Sequence, residues 1–197
     1  MTIKVEPMGP YQTNCYIVTV DEKDFIIDPG VGATEWVVEN VKNPVAILNT
    51  HGHFDHVWSN SELQKKLGIK LYAPKDDIPL MQDSSWMPDL PPSTPDVAID
   101  GDCIVDIDGV KVEFRHFAGH TPGSSTIEIQ GAMFSGDFIF ERSIGRTDFP
   151  LSNPDAMRTS LEKFKKLPYD KTIYPGHGNT TTIHQEQRNA DYWIRTL

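Results

Sequence analysis

The stretch THGHFDH, residues 50–56, follows the apolar run VAILN and carries three histidines and one aspartate in six positions. A lone histidine is usually a packed or a surface residue, but four such groups in one short segment indicate metal ligands. In a helix His51 and His53 would point to nearly opposite sides, whereas an extended segment or a turn lets them converge, and Gly52 favours the turn. The stretch therefore predicts a strand that ends at a divalent metal site, with Asp55 and His56 as further ligands.

The same order of strand, glycine and candidate ligand occurs three more times along the chain. The run VEFRHFAG leads into His120, AMFSG leads into Asp137, and TIYPG leads into His177. A glycine lets the backbone pass close to a crowded centre, and strand ends place their side chains at one edge of the sheets. Seven donors are more than one tetrahedral zinc ion uses, and they suit two adjacent ions that share a carboxylate and a solvent molecule. Because the set contains no cysteine, it favours an open, catalytic site over a closed, structural one.

The remaining patterns predict two groups of short strands with helices between them. The β-rich runs within residues 3–28 and those on either side of the Asp108-Gly109 turn each indicate an antiparallel meander. Asn153 and Pro154 have the residue types of an N-cap and a first helical position. Helical spacing of apolar residues covers four segments, 33–42, 57–68, 153–168 and 181–197.

Residues 76–98 form the one long irregular segment, because five prolines interrupt it. Such a segment in a compact domain is often a lid or a binding loop. The alternative is a surface excursion packed by its own Met81, Trp86 and Met87. The sequence leaves both interpretations open.

Composition and charge exclude several classes of protein. With 197 residues the chain fits one large domain, predicted here to span residues 1–197. The net charge of −10 argues against binding to nucleic acid or to an anionic membrane surface. The first residues lack a basic region followed by a long apolar run, so we expect a cytoplasmic protein. In that reducing compartment Cys15 and Cys103 are expected to be unpaired. The oligomeric state stays open.

Four motifs, THGHFDH, GHTPGS, SGD and PGHG, resemble those of the metallo-β-lactamase superfamily in order and spacing, and the resemblance covers nearly the whole chain. It implies an α/β fold, a four-layer αββα sandwich of two mixed sheets with helices on the outer faces. It also implies that Asp137 bridges two divalent ions, expected to be zinc, with iron or manganese possible. The nucleophile would be a hydroxide between the ions, and Asp55 would orient it or manage its proton. The ligands implied are His51, His53 and His120 for the first ion and Asp55, His56 and His177 for the second.

Two further stretches narrow the resemblance to one branch. SIGRTDFP, residues 143–150, and PGHGNTTTIHQE, residues 175–186, resemble the glyoxalase II-like, or hydroxyacylglutathione hydrolase-like, branch, whose members hydrolyse thioesters. The expected partner is therefore a small-molecule thioester. The bridging aspartate disfavours a true β-lactamase. Only 20 residues follow His177, so we expect no C-terminal helical glutathione-binding domain, and glutathione recognition is in doubt.

Two alternatives to a thioester hydrolase remain. GRTDFP, residues 145–150, also resembles a motif of persulfide dioxygenases, which use one iron ion. A scaffold that binds metal without turnover is the non-enzymatic alternative, and nothing in the sequence favours it. Arg146 either contacts a carboxylate of the substrate or a thiol-bearing cofactor, or forms a structural salt bridge with Asp148 or another carboxylate. His116 has the pattern of a packed or ligand-orienting histidine, and His184 that of an exposed helical one.

Overall fold

The computed structural model describes residues 1–83, 85 and 87–197. Two six-stranded sheets pack face to face, and helices cover the outer face of each sheet. The α/β sandwich expected from the resemblance is therefore confirmed. Among the residues described, no helix combines the length and the apolar character needed to cross a bilayer.

The first sheet contains the strands of the N-terminal half in chain order. The first three strands pair antiparallel to one another, and the third to sixth strands pair parallel. The parallel part fits the apolar run at residues 44–48, because a strand that is covered on both faces reads as continuously hydrophobic. The strands are β1 (Thr2–Met8), β2 (Thr13–Val20), β3 (Lys23–Ile27), β4 (Pro44–Leu48), β5 (Lys70–Pro74) and β6 (Val97–Ile99).

The second sheet has the order β14-β13-β10-β9-β8-β7, in which only β10 and β13 are parallel. The predicted Asp108-Gly109 turn joins β7 and β8, and both residues have positive φ, as this tight hairpin requires. A separate two-stranded hairpin lies beside the sheet. The strands are β7 (Cys103–Ile107), β8 (Val110–His116), β9 (Ser125–Ile129), β10 (Ala132–Gly136), β11 (Ile139–Phe140), β12 (Ser143–Ile144), β13 (Thr172–Pro175) and β14 (Thr181–Thr182).

Three apolar clusters separate the four layers. The central cluster lies between the sheets and combines side chains such as Phe25 and Phe114. A second cluster joins the first sheet to four helices, and a third joins the second sheet to two. The helices are α1 (Ala33–Asn40), α2 (Phe54–Val57), α3 (Asn60–Leu67), α4 (Ile78–Gln82), α5 (Pro154–Phe164) and α6 (Ile183–Thr196).

The helix ends follow the predicted signals. The side chain of Asn153 accepts hydrogen bonds from the backbone N–H groups of Asp155 and Ala156, so it caps α5 as expected. Gly68 ends α3 with a left-handed backbone, φ 66°. Cys15 and Cys103 are both free thiols, as predicted.

The irregular segment 76–98 contains more structure than its prolines suggest. Helix α4 lies near its start, and β6 lies at its end. Met81 is fully buried, and Met87 packs against the second apolar cluster. Trp86, which one of the two interpretations assigned to the same packing, lies outside the described residues.

Candidate metal centre

All seven predicted ligand residues lie at one edge of the two sheets. His51 and His53 lie in the segment between β4 and α2, which bends at Thr50 and His51, whereas Asp55 and His56 belong to the single turn of α2. The other three follow β8, β10 and β13. The parallel pairing of β10 with β13 brings the ends of these two strands together, which places Asp137 beside His177.

Among the described residues, two of three groups of possible ligand atoms correspond to the two predicted ion sites, and the third combines Asp28 with His51 and His56. Within each group, one nitrogen or carboxylate oxygen from each residue lies within 4.8 Å of the others. In the first group, His53 Nδ1 lies 2.8 Å from His120 Nε2. In the second, His177 Nε2 lies 3.4 Å from Asp55 Oδ2. The groups are His51, His53 and His120, and Asp55, His56 and His177.

The carboxylate of Asp137 lies between the two groups. Its Oδ2 is 3.4 Å from His120 Nε2 in the first group and 3.5 Å from His177 Nε2 in the second. Its Oδ1 is 3.3 Å from His56 Nε2. One carboxylate thus faces ligand atoms of both groups, as a bridging ligand would.

Three buried polar atoms of this cluster make no hydrogen bond, namely His51 Nε2 and the pair His56 Nε2 and Asp137 Oδ1, which face each other at 3.3 Å. Leaving a buried polar atom unpaired is costly, by about 1–3 kcal/mol each, so such atoms need another partner. Imidazole nitrogens and carboxylate oxygens are the donors that divalent first-row metals accept. The residues present therefore fit divalent cations.

Outer hydrogen bonds orient the rings so that the remaining nitrogen points into the centre. His56 Nδ1 lies 3.0 Å from Asp28 Oδ2, and His51 Nδ1 lies 3.0 Å from the hydroxyl of Thr50, which donates to Asp28. His120 Nδ1 lies 2.8 Å from the carbonyl oxygen of Arg146. Such partners fix the tautomer and raise the basicity of the ligating nitrogen.

Asp77 connects the two loops that carry the first group. Its Oδ2 accepts hydrogen bonds from Gly52 N–H, at 2.8 Å, and from the Thr121 hydroxyl, at 2.6 Å. Its Oδ1 accepts from Gly123 N–H at 2.6 Å. Gly52 lies between two of the histidines, and Thr121 follows the third, so a single buried carboxylate holds both loops in place.

Two glycines of the strand–glycine–ligand pattern lie against the centre, where a side chain would not fit. A Cβ on Gly176 would lie 2.2 Å from Asp137 Oδ1 and 2.7 Å from His56 Cε1. A Cβ on Gly136 would lie 2.2 Å from the hydroxyl of Thr50. Both distances are far below van der Waals contact, which explains why glycine precedes the candidate ligands.

The two groups differ in their protonation. Burial, and next the nearby His56, hold the pKa of His51 well below its usual value. Burial alone would lower the pKa of His56, but the carboxylates of Asp55 and Asp137 raise it well above that value. Burial would also lower the pKa of His177, but Asp137 and Asp55 outweigh burial and raise this pKa to about 9. His51 therefore presents neutral imidazole to a metal, whereas in the second group a metal must displace protons.

Arg146 lines a cavity over the centre, but its guanidinium group is engaged elsewhere. Nε and Nη2 donate to the two carboxylate oxygens of Asp148 at 2.9 and 2.8 Å. The group also lies over the ring of Phe149, 4.3 Å from its centroid. The salt bridge that the sequence left open is present, and a contact with substrate stays a prediction.

The residues with weaker sequence signals have structural roles. His116 Nε2 lies 2.8 Å from the carbonyl oxygen of Pro122, and His184 is exposed on α6. Asn14 is buried and donates to the carbonyl oxygens of Pro175 and Gly178, on either side of His177.

Sequence reasoning missed three residues that support the centre, Asp28, Asp77 and Thr13. The hydroxyl of Thr13 donates to Asp55 Oδ2 at 2.7 Å. Asp28 had a usable signal, because it directly follows an apolar strand and precedes Pro-Gly. Asp77 and Thr13 had no usable signal. The partners of Asp77 lie 25 to 46 residues away along the chain, and the partner of Thr13 lies 42 residues away.

Residues 8–177 match the model of the metallo-β-lactamase superfamily. The chain therefore belongs to this superfamily of metal-dependent proteins, in agreement with its fold and with the two groups of candidate ligands. The hydroxyacylglutathione hydrolase GloC of Haemophilus influenzae is 33% identical over 98% of this chain and 98% of that protein. This relative supports the glyoxalase II-like branch.

Two solved structures are similar over almost their full length. BLEG-1, a B3 metallo-β-lactamase, is 30% identical with a TM-score of 0.87, covering 98% of this chain and 99% of its own. TTHA1623 in a di-iron-bound form is 32% identical with a TM-score of 0.81, and the match covers 94% of this chain and 97% of that chain. The second structure shows that a similar chain holds two iron ions.

Proposed function

We propose that this protein is a metal-dependent hydrolase of thioesters, with a binuclear centre of the glyoxalase II-like type. The observation that supports it best is the arrangement of two three-residue groups on either side of Asp137. When bound, two divalent ions would supply Lewis acidity, which lowers the pKa of water and stabilises negative charge developing on a carbonyl oxygen. His51, His53 and His120 would hold one ion, Asp55, His56 and His177 the other, and Asp137 both.

In the proposed reaction, water adds to the acyl carbonyl, the carbon–sulfur bond breaks, and the products are a carboxylic acid and a thiol. Asp55 is the candidate catalytic residue, because its carboxylate lies in the cavity wall beside His177. The hydroxyl of Thr13 donates to Asp55 Oδ2 and so fixes the carboxylate. We propose that Asp55 orients the attacking water and accepts its proton.

The name of the GloC relative supports a thioester substrate. The di-iron form of TTHA1623 supports iron as a candidate for the two ions, beside zinc and manganese. The persulfide dioxygenase alternative requires one iron ion. The second group favours two ions, since Asp55, His56 and His177 each offer a ligand atom within 4.8 Å of the others, as the first three ligands do. The cytoplasmic location and the single domain stay predictions.

Metal analysis of the purified protein, followed by parallel assays, tests the proposal. Two equivalents of metal and thiol release from S-lactoylglutathione or other thioesters are expected. Oxygen uptake with glutathione persulfide, without cleavage of any thioester, would refute the hydrolase and support the dioxygenase.

A variant pair separates the role of Asp55 from general effects of removing a carboxylate. Asp55→Ala should lower kcat by about 10²-fold or more, the usual contribution of a positioned proton acceptor. Asp191→Ala, an exposed carboxylate on α6, should keep full activity. Full activity in Asp55→Ala would rule out the proposed role.

A further inference from the structure

A cavity of about 1130 Å³ opens over the metal centre. Small-molecule sites usually have volumes of this order or somewhat less, and a few polar groups in them fix the orientation of the ligand. Beyond the candidate ligands, the walls come mainly from apolar side chains of four separate segments. Six of these side chains are Phe54, Leu80, Met87, Phe140, Ile144 and Phe149.

The rim of the cavity exposes large apolar side chains to solvent. Tyr11 is 59% exposed, Phe149 38% and Leu151 60%. Tyr11 packs edge-on against Phe54, with ring centroids 5.1 Å apart, so the apolar surface continues from the rim into the wall. A contiguous exposed apolar surface of this kind marks a place where an apolar partner binds.

Away from the metal centre, the charged side chains of the cavity wall are mostly negative. Asp83 and Glu141 contribute carboxylates to the wall. Arg146 is the one lysine or arginine among the described wall residues, and its charge is paired with Asp148. Ser84 and Trp86, which lie outside the described residues, add no charge. A glutathione thioester carries two carboxylates and one ammonium group, so its carboxylates would meet acidic side chains and only one, already paired, guanidinium.

We propose that the cavity selects thioesters whose groups beside the reacting bond are bulky, apolar and uncharged, rather than thioesters of glutathione. The choice of thioester rests on the proposed function. The preference for an uncharged apolar group rests on the walls alone and holds for ligands that do not react.

Thioether analogues, in which the carbonyl is absent, measure this preference without turnover. Binding of S-hexyl-N-acetylcysteamine, S-methyl-N-acetylcysteamine and S-hexylglutathione to the metal-loaded protein is compared by calorimetry. The neutral hexyl compound should bind at least tenfold more tightly than the methyl compound, because its longer chain has further methylene groups to bury against the apolar walls. It should also bind at least fivefold more tightly than S-hexylglutathione. Equal or tighter binding of S-hexylglutathione, or equal binding of the two neutral compounds, overturns the proposal.

A matched pair of lysine substitutions tests the charge argument separately. Leu151→Lys places a cation on the rim, and Ile104→Lys places one at a similarly exposed position on strand β7, 64% against 60% exposed. Leu151→Lys should tighten the binding of S-hexylglutathione about threefold or more relative to the binding of S-hexyl-N-acetylcysteamine. Ile104→Lys should leave the ratio of these two affinities unchanged. The same change in both variants would contradict a local effect of the rim.

The results also distinguish the two proposals. If the neutral analogues bind as expected but no thioester is cleaved, the hydrolase assignment fails and the apolar specificity stands. If thioesters are cleaved but the glutathione compounds bind better, the hydrolase stands and the specificity fails.

Discussion

Replacing Asp77 by asparagine should weaken metal binding far more than it weakens the fold. The carboxylate accepts three hydrogen bonds, two at Oδ2 and one at Oδ1. An asparagine oxygen can keep Gly52 N–H and the Thr121 hydroxyl, but the amide nitrogen then faces Gly123 N–H, and two donors cannot pair. The loop that carries His53 stays attached, whereas the loop after His120 keeps its Thr121 contact and loses the one at Gly123.

The expected loss of stability is small because two effects oppose each other. An orphaned buried N–H costs about 1–3 kcal/mol. Burial raises the pKa of Asp77 in spite of its hydrogen bonds, so the ionised carboxylate itself costs stability at neutral pH, and the neutral amide removes that cost. We therefore expect the free energy of unfolding to fall by no more than ~2 kcal/mol. Metal affinity should fall about 10- to 100-fold, as for other residues that orient metal ligands.

Asp24 provides a matched control. It is also buried, though less deeply than Asp77, and its carboxylate likewise accepts three hydrogen bonds, from Thr19, Lys42 and Asn43, far from the centre. Burial acts to raise its pKa, but these hydrogen bonds outweigh burial and lower it. Asp24→Asn thus loses favourable charge-assisted hydrogen bonds, about 1–2 kcal/mol, and should keep its metal affinity.

Urea unfolding of the chelator-treated proteins gives the stabilities, and competition with a chromophoric chelator gives the zinc affinities. The expected result is a crossed pattern, with metal affinity lost in Asp77→Asn and retained in Asp24→Asn. If Asp77→Asn binds zinc as tightly as the wild type, Asp77 does not hold the ligand loops in place.

Three further predictions follow from individual contacts. Gly176→Ala should lose metal, because its Cβ would lie 2.2 Å from Asp137 Oδ1, while Gly101→Ala, with nothing within 4 Å, should retain metal in the same elemental analysis. Full metal content in Gly176→Ala would contradict the close approach. The pKa of His177 is raised from 6.5 to about 9, so its protonated form stabilises the metal-free protein below pH 6.5, and that contribution is lost as the pH rises to 9. In urea unfolding, the free energy of unfolding of the metal-free protein should therefore be lower at pH 9 than at pH 6, whereas that of the metal-loaded protein should not fall. A metal-free protein that is more stable at pH 9 would refute the raised pKa of His177. Asn153→Ala should cost about 1 kcal/mol of unfolding free energy through the lost cap of α5, with unchanged zinc affinity, and an unchanged urea midpoint would show that the cap contributes nothing.

The candidate ligands could be predicted from the sequence because their signals are local. An apolar strand followed by glycine and a histidine or aspartate requires no knowledge of distant residues, and the structure places each such residue at one edge of the sheets. The helix cap at Asn153 and the turn at Asp108-Gly109 are local in the same sense. The metal-binding roles of the candidate ligands remain a proposal, but the proximity of these side chains is a property of the fold.

The supporting residues could not be predicted in the same way. Asp77 contacts Gly52 and Gly123 only because β5 ends beside the loops after β4 and β8. The pairing of Arg146 with Asp148 decides the charge of the cavity wall, and the sequence left that pairing open.

The sequence by itself indicated the strands, the helices and the set of candidate ligands, since side-chain periodicity and strand–glycine–ligand order act over a few residues, and its resemblance to the metallo-β-lactamase superfamily implied the layered fold. Only the tertiary structure decided which buried groups orient those side chains and what surrounds a bound substrate. The physical reason is that the cavity is formed by segments far apart in the chain, from Tyr11 to Asn179, and their approach depends on how two sheets and their helices pack.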